Sequence, residues 1–119
     1  MMNKDIFCMA VEFTRQKLLF HKDEDWHDIQ CFGLFSWSDV SKYLVGNPAR
    51  IKSFKESLIE TNMKKENRTI WCRPTEYFWK KYIMPLMSYL NNFSVEQQRK
   101  YFEDFNFIDR YEEYKKIIQ

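Results

Sequence analysis

The chain has 119 residues, of which 45% are hydrophobic, 30% charged and 18% aromatic, and it carries a formal net charge of +2. That is the length of one domain, spanning 1–119, and it is long enough to bury a core without a disulfide or a metal staple. The composition excludes a disordered chain, a collagen and a mucin-like stalk, and the charge is too small to announce either a strongly basic nucleic-acid binder or an acidic DNA mimic.

A first helix is predicted over 5–20, with Asp5 as its cap. Ile6, Met9, Ala10, Phe13 and Lys17 share one face at helical spacing, widened by Phe7, Val11 and Leu18. Residues 21–28 read as an acidic, solvated turn. The aromatic stretch 29–37 holds Gly33 and is read as a short strand or a buried loop. A short helix should start at Ser38, with Gly46 just past its end. Asn47 and Pro48 then open a helix over 48–62, lined by Ile51, Phe54, Leu58 and Ile59.

Residues 63–68 are read as an exposed loop. The β-prone run 69–73 could pair with 29–35 in a minimal sheet. Thr75 starts a long helical stretch to residue 90, kinked or split near Met84 by Pro85, which has no N–H to donate. Ser94 and Gln97 fit a capping box for a helix reaching about residue 105. Asp109 should cap a last helix through 118, with Tyr111, Tyr114 and Ile118 on one face. The expected fold is mainly α: a compact single domain of five or six helices, with room for one short β-strand pair.

Several residue patterns bear on chemistry. Only 2 glycines are present and neither GxGxxG nor GxxxxGK[ST] occurs, so a nucleotide-dependent enzyme is not expected. Cys8, Cys31 and Cys72 are odd in number and lack CxxC spacing, which points to reduced structural thiols in a cytoplasmic protein. The apolar run 6–11 is shorter than a secretory core of about 7–15 residues, and no run approaches the roughly 18 needed to cross a membrane. His21, Asp23, Asp25, His27, Asp28 and Cys31 could hold a divalent ion, but their spacing follows no zinc pattern and an acidic surface turn explains them. No cofactor or metal and no catalytic set is therefore assigned.

Two charged segments are candidate partner surfaces. The first is the acidic turn, with Asp23, Glu24, Asp25, Trp26 and Asp28, whose carboxylates beside a tryptophan could imitate a phosphate track and fill the cleft of a basic partner. The second is 64–81, where Lys64, Lys65, Arg68, Arg73, Lys80 and Lys81 stand against Glu66 and Glu76 and interleave with Trp71, Tyr77, Phe78 and Trp79. Such a segment can grip phosphates and stack bases, or grip an acidic protein surface. The plain alternative is a solvated turn for the first and a solvated loop and helix face over buried rings for the second.

Two resemblances follow from these residues. Arg15 and His21, separated by five residues, resemble the R-x(4–6)-H motif of HEPN ribonucleases, in which the pair acts on the RNA backbone. The overall character, a small aromatic-rich chain with alternating charge clusters, is similar to small bacterial immunity proteins of the contact-dependent-inhibition or colicin type. That second resemblance implies a non-enzymatic inhibitor that occludes the active site of a cognate protein toxin, a nuclease among the options. The alternative is a nucleic-acid-associated phage or plasmid regulator using 64–81. No membrane partner is expected.

Overall fold

In the computed structural model, residues 4–20, 22–23, 35–42, 44, 58–64, 69–104 and 106–118 are described. Their order is α1 (Lys4–Phe20), β1 (Phe35–Ser36), α2 (Trp37–Val40), β2 (Ile59–Lys64), β3 (Thr69–Pro74), α3 (Glu76–Phe78), a π turn (Trp79–Ile83), α4 (Met84–Leu90), α5 (Val95–Glu103) and α6 (Phe107–Ile117). The fold is mainly α with a small antiparallel sheet. Among the described residues the sheet has three strands in the order β1-β3-β2, not a single pair.

The core is organised by α1. Its apolar face is buried as its spacing dictates, with Phe7, Ala10 and Phe13 fully inside. Phe13 meets Phe35 of β1 edge-on at 4.9 Å and Phe78 of α3 at 5.8 Å. Six residues earlier, Phe7 stacks on Tyr111 of α6 at 5.3 Å and lies 5.2 Å from Tyr114. One helix thus joins a ring cluster under the sheet to a second under the last helix. Asp5 lies within the first turn of α1, where its charge favours the amino end of the helix, so it is not the capping residue.

The predicted 69–73 strand is β3, and it pairs with 29–35 at the last residue of that segment, Phe35 opposite Cys72. The rest of 29–34 lies outside the described residues. Trp37 does not end a strand. It opens α2, one residue before the expected start, and Ser41 then returns both its N–H and its hydroxyl to the Trp37 carbonyl, at 2.9 and 2.7 Å. A serine that bonds its own preceding turn competes with helix propagation.

The largest correction falls on 48–62 and on the loop expected after it. Ile59–Lys64 is a strand, in register with β3 from Ile59 opposite Pro74 to Lys64 opposite Thr69. The cause is legible afterwards. Ile59, Thr61 and Met63 alternate with Glu60, Asn62 and Lys64, and β3 supplies hydrogen-bond partners along the inner edge of the segment. Leu58 and Ile59 are buried, which is what the helical stripe demanded of them, so burial alone could not tell the two geometries apart. Residues 48–57 lie outside the described residues.

The stretch 75–90 is split as Pro85 requires. The Met84 N–H donates to the Trp79 carbonyl, five residues back, closing a π turn, and α4 begins there with proline in its first turn. Widening the turn accommodates a ring that would clash with the carbonyl four residues earlier. The Tyr114 hydroxyl, fully buried, donates to the Tyr82 carbonyl inside this turn and ties α6 to it. At the far end, Gln98 of α5 donates to the Leu90 carbonyl at 2.8 Å.

The capping box is present: Gln97 N–H donates to Ser94 Oγ at 3.2 Å, and Ser94 N–H donates to Gln97 Oε1 at 2.9 Å. The last helix is capped by Asn106, whose side chain accepts from the Asp109 N–H at 3.2 Å. Asp109 therefore sits inside the first turn and is not the cap.

Tyr114→Phe keeps the ring and removes the donor to the buried Tyr82 carbonyl. The expected loss is about 0.5–1.5 kcal/mol of unfolding free energy by urea titration. An unchanged midpoint would show that this bond does not hold the π turn.

Candidate functional site

The described part of the basic segment converges on the helix formed by α3, the π turn and α4. The Thr75 N–H donates to the Leu58 carbonyl at 2.8 Å, anchoring the helix start to the base of β2, while Thr75 Oγ1 accepts from the Phe78 N–H at 3.2 Å. Phe78, Trp79, Tyr82, Ile83, Leu86 and Leu90 are buried, so the helix can present only one face. That face carries Glu76, Tyr77, Lys80, Lys81, Met84 and Ser88. Tyr77 is 53% exposed and Met84 42%.

The charges on and beside this face are arranged in pairs. Lys80 Nζ lies 2.8 Å from Glu76, with the acid four residues before the base, the favoured order. Arg73 Nε lies 2.6 Å from Glu60, its register partner across the hairpin. Exposed pairs like these contribute less than about 1 kcal/mol each to stability. Their larger effect is on the pattern of charge the surface offers.

Lys81 is arranged differently. Its ammonium donates to the Tyr77 hydroxyl at 2.9 Å, and its distance to the Tyr77 ring centroid is 5.3 Å. Together these distances place it off the oxygen end of the ring and not over the face. Tyr82 flanks the same ammonium at 5.4 Å, with its ring edge-on to that of Tyr77. The bond from Lys81 holds the Tyr77 phenol below its usual range, and the phenol oxygen in turn raises the Lys81 ammonium, which stays charged throughout the neutral range.

The four aromatic residues of the segment do not act together. Phe78 and Trp79 belong to the core, Trp71 is half-buried, and Tyr77 alone is exposed. Of the basic residues, Arg73, Lys80 and Lys81 are placed as described. Lys64 closes β2. Lys65 and Arg68 lie outside the described residues. Of the acidic turn, Asp23 is exposed just past α1, while Glu24, Asp25, Trp26 and Asp28 lie outside the described residues, as do His21, His27 and Cys31.

A second polar group lies on α1. Glu12 is buried there, accepts from Gln16 Nε2 at 3.0 Å and has Arg15 Nε at 3.9 Å, while Asp39 and Lys42 face it from α2 and the turn after it. Burial outweighs the two cations and the amide, and raises the Glu12 carboxyl above its ordinary value. Arg15 also lies 5.7 Å from the Phe20 ring. Cys8 is a free thiol, and burial with the nearby Asp5 charge pushes it up to about 11, out of the nucleophilic range.

Among the described residues, no three His, Cys, Asp or Glu side chains come together as a metal site, and no helix is long and apolar enough to cross a membrane. Spacing could have found the Tyr77–Lys81 contact, since the two stand four residues apart on a helix. Nothing in the spacing marked Met84 as exposed. Compared with known protein families, curated proteins and solved structures, the chain matches none.

A raised carboxyl binds more protons folded than unfolded, so its contribution is complete below the ordinary value of 4.5 and is lost as pH rises through the raised one. Glu12→Gln should therefore melt at or above the parent's temperature at neutral pH. The difference should shrink as pH falls below 4.5. A variant that is less stable by the same margin at every pH would contradict this.

Proposed function

We propose that the protein is a non-enzymatic inhibitor that binds a partner protein, of the immunity type, in a reducing cytoplasmic setting. It docks through the exposed face of the 76–88 helix and occludes the active site of a cognate toxin. The observation that carries this reading is an exposed tyrosine and methionine set among charges already paired on a helix anchored at both ends. Tyrosine and methionine are enriched where proteins meet, and a rigid scaffold lowers the entropy of docking. The free, half-buried thiol of Cys8 accords with the reducing setting.

The nucleic-acid alternative is less well supported by the same face. A phosphate track wants unneutralised cations and a row of stacking rings. Here Lys80 and Arg73 each have a carboxylate within 2.8 Å, and Phe78 and Trp79 are core residues. An alternating pattern of paired charges suits the selection of one protein surface over others.

The test is affinity capture from cells of the chain's own source at about 150 and about 500 mM salt, with the captured protein's activity then assayed against purified chain. One stoichiometric protein retained at both salts and silenced at one-to-one is the expected result. Nucleic acid retained only at low salt, or a captured protein whose activity is untouched, would overturn the reading.

A further inference from the structure

We propose that Tyr77 and Lys81 form a carboxylate clamp, the anchor that takes one aspartate or glutamate side chain of the partner protein. The proposal deepens the docking reading above and rests on it.

The argument begins with donors. An ammonium has three N–H groups and no acceptor, and a phenol has one O–H and an oxygen that accepts. In the contact between them Lys81 donates and Tyr77 accepts, at 2.9 Å. The phenol hydrogen cannot be used on the ammonium. The pair therefore offers an N–H and an O–H side by side on an exposed face, and a carboxylate supplies two acceptor oxygens on one carbon. A charged acceptor strengthens both bonds.

The surroundings select a carboxylate borne on a protein. Tyr82 stands beside both members of the pair, its ring 5.4 Å from the ammonium and its phenol a hydrogen-bonding neighbour of each. Glu76, the carboxylate nearest along the helix, is held by Lys80 at 2.8 Å. Met84, exposed a turn further along, supplies an apolar neighbour of the kind a protein surface covers and a phosphodiester chain does not. The clamp is assembled before the partner arrives, which spares the ordering of a flexible lysine at the moment of binding.

The probe is an amidated hexa-aspartate peptide titrated into the full chain, followed by backbone amide shifts, with hexa-serine and a short oligothymidylate as comparisons. The acidic peptide is expected to shift residues 76–84 and hexa-serine to shift none. Tyr77→Phe, which keeps the ring and loses the hydroxyl, should weaken the peptide about threefold to tenfold. Lys81→Gln should weaken it by about tenfold or more. Both positions are exposed, and unchanged thermal melts would confirm that the variants fold.

Equal peptide binding by parent and both variants would overturn the clamp, as would oligothymidylate shifting the same residues more strongly than the acidic peptide. The two readings fail separately. If a captured, silenced partner binds Tyr77→Phe and Lys81→Gln as tightly as it binds the parent, the inhibitor stands and the clamp falls. If the peptide behaves as expected and no partner is silenced, the clamp stands and the inhibitor falls.

Discussion

The hydroxyl of Tyr114 reaches from the last helix to the carbonyl of Tyr82, and much of the molecule's arrangement passes through that contact. Pro85 denies the 76–90 helix an N–H, and the chain answers with a π turn. The N–H that Pro85 lacks would have served the carbonyl of Lys81, four residues back, and the bond from Tyr114 lands on the next carbonyl along. Tyr114 thus ties the turn from outside the helix. To do so it must be buried, and its ring must fit beside Phe7 on α1. The proline, the π turn and the placement of the last helix against the first are therefore one constraint seen at three places.

The surface above that turn is shaped by the same constraint. With Phe78, Trp79, Tyr82 and Ile83 committed inward, only Glu76, Tyr77, Lys80 and Lys81 of this stretch remain outside. The outward residues pair among themselves, Glu76 with Lys80 and Tyr77 with Lys81. Glu76 neutralises Lys80, while the phenol of Tyr77 orients Lys81 and leaves its charge in place. Summed charge along a segment says little about the field at its surface once side chains have found their partners.

What could be read from the sequence was governed by local chemistry. The capping box at Ser94 and Gln97, the interruption at Pro85 and the inward face of α1 all depend on residues a few positions apart, and all three hold. What could not be read depended on distant partners. Ile59–Lys64 is a strand because Thr69–Pro74 is beside it, while its own residues fit a helical stripe equally well. Asn106 and Asp109 are both capping residues by type, and only the fold decides which accepts and which donates its N–H. For the docking face, spacing placed Tyr77 near Lys81 and left open which of four neighbouring rings would be exposed. The acidic turn is the opposite case: its chemistry was plain in the sequence, and only Asp23 of it falls among the described residues.

The π turn also makes residue count a structural quantity at this point in the chain. Each helical residue advances the azimuth by about 100°. The π turn Trp79–Ile83 spends an extra residue on roughly the rotation of one α turn, and so absorbs that residue without changing the phase of Leu86 and Leu90. Closing the turn to α geometry without losing a residue would swing those two fully buried leucines by about that angle toward water. A residue added or removed elsewhere in Glu76–Leu90 meets no such turn, whereas replacing an exposed side chain such as Lys80 leaves the phase intact.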